Sequence, residues 1–201
     1  DEFRLAQVID LSQETQSSQS GQASQSSNFK QCSFGSASLT TSNTSQSASH
    51  SKVTINEIAW MGSVNNANDE WIELKNISSG AVDLTGWQLI DKDEQIKIVF
   101  GKGSLISANG FYLLERTDDA AVPEVKANVI YSGILSNSDE GLRLFDGECN
   151  LIDEASASPD WPAGDNKARK TMERNSSDLN WHTSTVIGGT PKKENSQLTL
   201  F

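Results

Sequence analysis

Histidine is scarce in this sequence, and that scarcity limits the acid–base chemistry open to the chain. The 201 residues include two histidines, His50 and His182. A Ser–His–Asp triad would have to use His182, and the sequence holds no Gly-x-Ser-x-Gly turn of the kind that presents a nucleophilic serine. It also lacks a glycine-rich phosphate loop leading into a helix. We therefore predict that the protein is not an enzyme and has neither catalytic nor cofactor-binding residues.

Carboxylates and amides suggest two further kinds of site. Glu57, Glu70 and Glu73 fall on predicted strands and could form the acid pair of a glycosidase, but strand carboxylates at such positions are expected to face solvent. Oxygen-rich loops at 65–70 and 91–94 could hold calcium, although neither has the EF-hand spacing. Because Asn and Asp are also common turn formers, we favour a turn role. The weaker alternative is calcium, with the ligands Asn65, Asn68, Asp69, Asp91 and Asp93.

Trp161 lies between Pro159 and Pro162 in the loop that is the main candidate for binding. A tryptophan in a stiff loop could stack on a sugar ring or anchor a protein partner. It could also cap the open end of its own core, which is the interpretation we favour. The basic residues that follow could bind an acidic partner, unless neighbouring strand carboxylates neutralise them: Lys167, Arg169, Lys170 and Arg174. The predicted interaction residues are Trp161, Asp165, Lys167, Arg169 and Lys170.

The two cysteines, Cys32 and Cys149, are too far apart in sequence to form a zinc site or a redox motif. In an oxidising compartment they could form one disulfide, which would pin the N-terminal region to the domain that follows. Two unrelated thiols are the interpretation we slightly favour, since the distance between the Cα atoms decides whether a bridge is possible and the sequence does not give that distance.

The charge of the chain restricts its partners. The formal net charge is −11 and the isoelectric point is near 4.6. Binding to nucleic acids and to anionic membrane surfaces depends on Lys and Arg, so neither is expected for so acidic a chain. No apolar run reaches 18 residues, so we predict no membrane span. Because the chain begins at Asp1 and not at Met, we expect a processed or shortened form from which any signal peptide is already gone.

The composition divides the chain into an arm and a domain. Residues 11–51 are dominated by Ser, Gln, Thr and Asn, and they cannot bury enough apolar surface to offset the loss of chain entropy. The first ten residues form a small apolar patch before this polar stretch. We therefore predict a low-complexity polar linker over 1–51. Apolar side chains recur from Val53 onward, and all five tryptophans lie there, which predicts a single domain over 52–195 and a short tail over 196–201.

Short apolar runs separated by turn residues predict an all-β domain. The Val53–Trp60 run has Ile55 and Ile58 out of strict alternation, which indicates a β-bulge. Residues 70–75 alternate cleanly, with Glu73 and Lys75 on the polar face. Strand-like runs continue at intervals of about 8–12 residues, a spacing typical of an antiparallel sandwich. The remaining predicted strands cover 81–84, 86–90, 95–100, 111–115, 128–131, 141–145, 151–155, 168–174 and 180–182.

Several short segments of the sequence resemble the lamin-tail domain family in their residues, their order and their spacing. The resemblance covers about Val53 to Asn195 and is carried by Ile55-Asn-Glu-Ile58, Asn68–Asn76, Val82–Leu89, Ser107–Leu114, Leu135–Leu144 and Gly189-Thr-Pro191. The phrases Glu115–Asp119, Trp161–Asn166 and Thr171–Arg174 resemble its bacterial branch. The resemblance implies an immunoglobulin-like sandwich, usually secreted or carried at the cell surface in bacteria. In eukaryotes the domain lies in the tail of nuclear intermediate filament proteins. No coiled-coil heptads precede the domain in this sequence, so a filament role is not expected.

These observations together predict a non-catalytic, extracellular or cell-surface module that serves scaffolding or adhesion. Its expected partner is a protein or a cell-surface polymer, and the arm would give the domain reach. The alternative is a carbohydrate-binding module that uses Trp161 as its platform.

Overall fold

The computed structural model describes residues 29–36 and 52–197. Within these ranges the chain forms one short 3-10 helix, Phe34–Ser36, and twelve strands. The strands are β1 (Val53–Ala59), β2 (Trp71–Asn76), β3 (Val82–Asp83), β4 (Gln88–Asp91), β5 (Lys97–Val99), β6 (Leu105–Ile106), β7 (Phe111–Arg116), β8 (Val129–Tyr131), β9 (Gly141–Phe145), β10 (Leu151–Ser156), β11 (Met172–Arg174) and β12 (Trp181–Thr183). The all-β prediction is confirmed.

The strands form two main sheets and a small ribbon. The larger sheet has the order β12-β11-β1-β2-β7-β8, the smaller sheet has the order β10-β9-β4-β5, and β3 pairs with β6. All neighbours are antiparallel except β7 and β8, which are parallel. This pair departs from the antiparallel sandwich that the strand spacing predicts. Parallel neighbours need a crossover of about a dozen residues, which segment 117–128 provides.

The core lies between the inner faces of the two sheets. The register of β1 against β2 shifts between Ile55 and Glu57, so that Ile55 and Ile58 both point inward and are fully buried. This shift is the predicted β-bulge. The other large side chains of the core come from both sheets and include Ile72, Leu74, Leu114, Leu89, Ile98, Leu142 and Leu144.

The outer face of the larger sheet is covered, although the alternation along β2 predicts a solvated face. Segment 117–128 packs on Trp71 and Leu113 with Ala121 and Val122. Residues 189–196 cover the neighbouring part of the face, where Glu73 is fully buried and Lys75 is half-buried. The prediction that Glu73 faces solvent is therefore wrong, because a segment more than a hundred residues later lies over it.

Residues 29–36 cover the outer face of the smaller sheet. Cys32 packs against Ile90 and Phe145, both nearly inaccessible to solvent. The Gln88 side chain holds the segment like a strand partner, since its Oε1 accepts from the Cys32 N–H at 3.0 Å and its Nε2 donates to the Lys30 carbonyl at 2.6 Å. This part of the predicted arm is therefore packed on the domain. The remainder of 1–51, and residues 198–201 of the predicted tail, lie outside the described residues.

Within 29–36 and 52–197 the structure has no helical segment with the length and hydropathy of a transmembrane span.

Candidate functional site

A cavity of about 330 Å³ opens at one end of the sandwich. We call it the end-loop cavity, because its walls come from the β1–β2 loop, the end of β7, the β8–β9 connection and the loop before β11. Its lining residues are Trp60, Met61, Ala67, Asn68, Glu70, Arg116, Ile134, Leu135, Ser136, Asn137, Asn166 and Arg169. A volume of this size is at the lower end of the range usual for small-ligand sites.

Arg116 is fixed in this wall by two residues of the β1–β2 loop. Its Nη1 donates to Oε1 of Glu70 at 3.0 Å and to Oδ1 of Asn68 at 3.3 Å. The other oxygen of Glu70 accepts from the Leu135 N–H at 2.9 Å. Burial raises the pKa of Glu70 to about 7, although the Leu135 N–H and Arg116 both favour its charged form. Glu70 is thus buried, contrary to the solvent-facing position predicted for it.

Arg169 is fixed in the opposite wall by a tight hairpin. Asp165 and Lys170 exchange two backbone hydrogen bonds, and the Asp165 side chain accepts from the Ala168 N–H at 2.9 Å. Arg169 has a positive φ of 53°, uncommon for a side-chain-bearing residue, and its carbonyl accepts from the Gly188 N–H. Its Nη1 donates to the Met61 carbonyl and to Oδ1 of Asn166.

The two arginines are anchored in the same way. In each, Nη1 donates to the side-chain oxygen of an asparagine and to one further oxygen. Within 29–36 and 52–197, the Nε and Nη2 groups of both arginines have no hydrogen-bond partner. Arg169 forms no ion pair in those ranges. A guanidinium edge formed by Nε and Nη2 matches the two oxygens of a carboxylate. The end-loop cavity therefore has two arginines prepared for an anionic group.

Trp60 provides the aromatic part of the wall. Its indole N–H donates to the Ala163 carbonyl at 3.1 Å, which fixes the ring against the 161–164 loop. Gly164 makes this contact possible: its φ is +95°, and a Cβ there would lie 2.6 Å from Nε1 of Trp60. The half-buried ring therefore has its orientation set by the loop.

Trp161 points into the core. Its side chain is 7% exposed, belongs to the main apolar cluster, and donates its N–H to the Ser136 carbonyl at 2.9 Å. A sugar-stacking platform needs an exposed ring face, which Trp161 does not offer. The residue supports the end-loop cavity from behind by holding the loop of Ser136. Trp60, which the sequence did not single out, is the tryptophan that lines the cavity.

The basic stripe predicted after this loop is divided by the fold. Lys167 and Asp165 are exposed, and Lys170 is half-buried in the hairpin. Arg174 is withdrawn from the surface, because its Nη2 donates to both carboxylate oxygens of Asp153 at 3.0 and 3.1 Å and its guanidinium lies over the Trp181 ring. Arg174 is therefore not part of a basic surface, and Arg169 is the predicted basic residue that reaches the cavity.

The two loops considered for calcium are engaged in local turns. Asp69 accepts from the Ser63 hydroxyl at 2.6 Å, and Asp91 is buried with Oδ1 accepting from the Ile96 N–H at 2.8 Å. Asn65 and Asp93 are exposed, and Asn68 holds Arg116. The ranges that the structure describes contain no group of three or more His, Cys, Asp or Glu residues placed to hold a metal ion.

Three glutamates form a buried row on the outer face of the larger sheet. Glu57 on β1 is directly opposite Glu73 on β2 and Glu173 on β11, and all three side chains are fully buried. Glu57 accepts from the Thr171 hydroxyl at 2.5 Å and from the Thr190 N–H at 2.9 Å. Glu73 accepts from the Asn56 amide at 3.0 Å and from the Lys192 N–H at 2.6 Å.

The surroundings of the row shift the titration of two members. Burial, with the charges of Glu173 and Glu73, raises the pKa of Glu57 well above its ordinary value. Burial likewise raises the pKa of Glu73 to about 8. His182 lies 3.7 Å from Glu173 at the end of the row, and His50 lies outside the described residues. Because residues 189–196 cover the row, these carboxylates hold the fold together and are not accessible to a substrate.

Cys32 and Cys149 are joined in the structure. Their sulfur atoms lie 2.02 Å apart and their Cα atoms 5.4 Å apart, and their sequence separation is 117. Cys149 occupies the predicted β9–β10 turn with a positive φ of 62°. The bridge attaches residues 29–36 to the hairpin that follows β9.

Two parts of the end-loop cavity are not apparent in the sequence. Trp60 follows a strand and Arg116 ends one, so both carry the pattern of ordinary strand residues. The only local signal in the sequence is the polar loop at 65–70, whose composition predicts a turn. Asn166 and Arg169 meet this loop only through the fold.

A family model described as Lamin Tail Domain matches residues 46–158, more than half of the chain. The match includes β1 to β10 and ends before the 165–170 hairpin, β11 and β12. A search of curated proteins gives no match to the chain.

Proposed function

The chain belongs to the lamin tail domain family, and from that premise we propose that it acts as a secreted or cell-surface binding module. The family is an immunoglobulin-like domain that generally serves interaction and not catalysis. The observation that carries the proposal is the end-loop cavity, where two anchored arginines and a tryptophan surround an open volume. Convergent polar groups beside an aromatic wall are typical of a binding site.

The disulfide supports a location outside the cytoplasm. Bridges such as Cys32–Cys149 persist in oxidising compartments and are rare where thioredoxin and glutathione keep thiols reduced. The bridge joins the domain to its low-complexity N-terminal sequence. In our proposal that sequence is the spacer between the domain and a surface or an upstream module.

The partner in this proposal is a protein or a polymer of the cell surface, bound at the loop end of the sandwich. Loops positioned by a rigid sandwich commonly carry binding residues. Carbohydrate binding remains the second candidate. It is now supported by Trp60 and the amide-rich wall of the end-loop cavity, in place of Trp161.

Two measurements test the proposal. The full chain should co-sediment saturably with envelopes of the producing cells, and the Asn137→Asp variant should do so less well. Asn137 is exposed and forms no hydrogen bond within the described ranges, so this isosteric change alters the charge of the cavity and spares the packing. The matched control is Asn109→Asp, an exposed asparagine on the Ser107–Gly110 turn, which does not line the cavity.

The compartment is tested on protein isolated from its producing cells after rapid alkylation. We expect a disulfide-linked peptide pair containing Cys32 and Cys149, identified by mass spectrometry without reductant. Recovery of both cysteines as alkylated thiols would contradict the proposed location. Absence of saturable co-sedimentation would contradict the binding role.

A further inference from the structure

We propose that the end-loop cavity binds the carboxylate of an acidic sugar, with Arg169 and Arg116 as the anion anchors and the asparagine side chains as readers of sugar hydroxyls. This inference rests on the proposed binding function and names the chemical class of its ligand. It uses the geometry of residues that come from three loops and from the end of β7.

The anion anchors are set before any ligand arrives. Asn166 holds Nη1 of Arg169 at 2.9 Å, and Asn68 holds Nη1 of Arg116 at 3.3 Å. An arginine whose rotamer is already fixed loses little further freedom on binding, so more of the interaction energy remains as affinity. The backbone of Arg169 is fixed as well, by the hairpin of Asp165 and Lys170.

The charge of the cavity favours an anion locally, despite the net charge of −11 for the whole chain. Two guanidinium groups and one carboxylate, that of Glu70, line it. Both oxygens of Glu70 are already occupied, by Arg116 and by the Leu135 N–H. The lining therefore carries an excess positive charge. At physiological salt the Debye length is about 8 Å, which limits repulsion from the remainder of the acidic surface.

The neutral part of the lining favours a sugar over an acidic peptide. In the described part of the chain, the Nδ2 groups of Asn68, Asn137 and Asn166 have no protein acceptor, and all three residues line the cavity. An amide can both donate to and accept from a hydroxyl, and sugars carry such groups at nearly every carbon. The Trp60 ring supplies an apolar wall for the C–H face of a pyranose. A peptide would instead call for paired backbone groups at a strand edge or an apolar groove.

The test uses isothermal titration of the full, oxidised chain with trigalacturonate at about 0.15 M salt. Two further probes are its fully methyl-esterified form, which keeps the hydroxyls and removes the charge, and tri-L-glutamate, which keeps the charge and removes the sugar. We expect saturable binding of trigalacturonate and binding weaker by at least tenfold for the other two. Loss of one charged hydrogen bond corresponds to roughly a tenfold change or more.

Three variants test whether trigalacturonate binds in the end-loop cavity. Arg169→Gln should weaken trigalacturonate binding about tenfold or more, whereas Lys167→Gln, which removes the same charge from an exposed residue outside the lining, should change it by less than about twofold. Because Arg169 also holds the Met61 carbonyl, Asn137→Asp serves as a second variant that leaves the framework intact. It should weaken binding by repulsion, with an unchanged melting temperature.

Each outcome decides between the possibilities. Equal binding of the methyl ester, or no binding of trigalacturonate, overturns the acidic-sugar proposal. Tighter binding of tri-L-glutamate that is lost in Arg169→Gln also overturns it and makes an acidic peptide the occupant. If envelopes still bind the chain while trigalacturonate does not, the proposed function stands and this inference fails. If the chain binds trigalacturonate but not envelopes, the acidic-sugar site is supported and the proposed cell-surface role fails.

Discussion

Glu57 and Glu173 face each other across β1 and β11 and are joined through one hydroxyl group. The Oγ1 of Thr190 lies 3.0 Å from Oε2 of Glu57 and 2.9 Å from Oε1 of Glu173. A hydroxyl has a single proton, so it can donate to one of these carboxylates only. The two carboxyl groups therefore compete for one donated proton. Burial, together with the negative charges of Glu173 and Glu73, raises the pKa of Glu57 well above its ordinary value.

The buried glutamate row predicts a stability that falls as the pH rises. Glu73 has a pKa of about 8 in the folded chain, compared with an ordinary value of 4.5, and burial also raises the pKa of Glu57. Between about pH 4.5 and pH 8 the folded state therefore holds more protons than the unfolded state, so the free energy of unfolding decreases with pH. Glu70, with a pKa of about 7, and Asp91, with a pKa of about 6, act in the same direction.

Urea denaturation at pH 5.5 and pH 8.5 measures this effect, and we expect the lower midpoint at pH 8.5. The Glu57→Gln variant mimics the protonated side chain and should show a shallower dependence on pH. A midpoint that increased from pH 5.5 to pH 8.5 would contradict the prediction. An equal change of midpoint in the Glu57→Gln variant would show that Glu57 does not contribute to the pH dependence.

Gly189 is predicted to be indispensable for covering the glutamate row. Its φ is +80°, and a Cβ there would lie 2.0 Å from Oε1 of Glu57. Gly188 is a matched control, with a φ of +78° and no atom within 4 Å of the corresponding position. Gly188→Ala should cost about 1–2 kcal/mol for the backbone conformation alone. Gly189→Ala should cost clearly more, because Glu57 must also shift. Equal losses in chemical denaturation would mean that the contact with Glu57 is unimportant.

Removal of the disulfide is expected to destabilise the domain and expose an apolar patch. The Cys32→Ser/Cys149→Ser double variant should lose roughly 2–5 kcal/mol, because the bridge restricts the unfolded chain over a separation of 117 residues. Release of residues 29–36 would uncover Ile90 and Phe145, so binding of a hydrophobic dye should increase. Phe34→Ala, which keeps the bridge, should have a smaller effect on both measurements. A double variant as stable as the wild type would contradict the role of the bridge.

Trp161→Ala should destabilise the domain by about 3–5 kcal/mol, since it removes a buried aromatic side chain and leaves the Ser136 carbonyl without its donor. Trp161→Phe keeps most of the packing and should cost less. The measurement is the free energy of unfolding from urea titration. A loss below about 1 kcal/mol in Trp161→Ala would place the indole outside the core.

The strands could be predicted from the sequence, but the segments that cover the outer faces of the sheets could not. The alternation in β2 assigns Glu73 to the correct face, opposite Ile72 and Leu74, but local periodicity carries no information about a later segment that lies on that face. The Asn195 side chain, which bonds to the Asn56 side chain and to the Arg174 carbonyl, is part of that cover. Its pairing depends on residues distant in sequence.

The end-loop cavity was predictable only in part for the same reason. The neighbouring basic residues predict an interaction role for Arg169, and the structure places it in the cavity wall. Arg116 ends a strand and looks like an ordinary surface arginine in the sequence. The position of Trp161 on the core side and of Trp60 on the cavity side depends on the direction of two loops, which composition does not determine.

The position of the disulfide also determines how the domain would respond to mechanical force. A pull transmitted from the N-terminal side reaches Cys32 and crosses the bridge to Cys149. The covalent ring closed by the bridge contains β1 to β9. The force passes through the bridge, so the backbone of these strands is not on the covalent path that is stretched. Tension would act on β10, β11 and β12 and could extend only the chain outside the ring. The oxidised domain should therefore keep most of its sandwich under a force that unravels the reduced one.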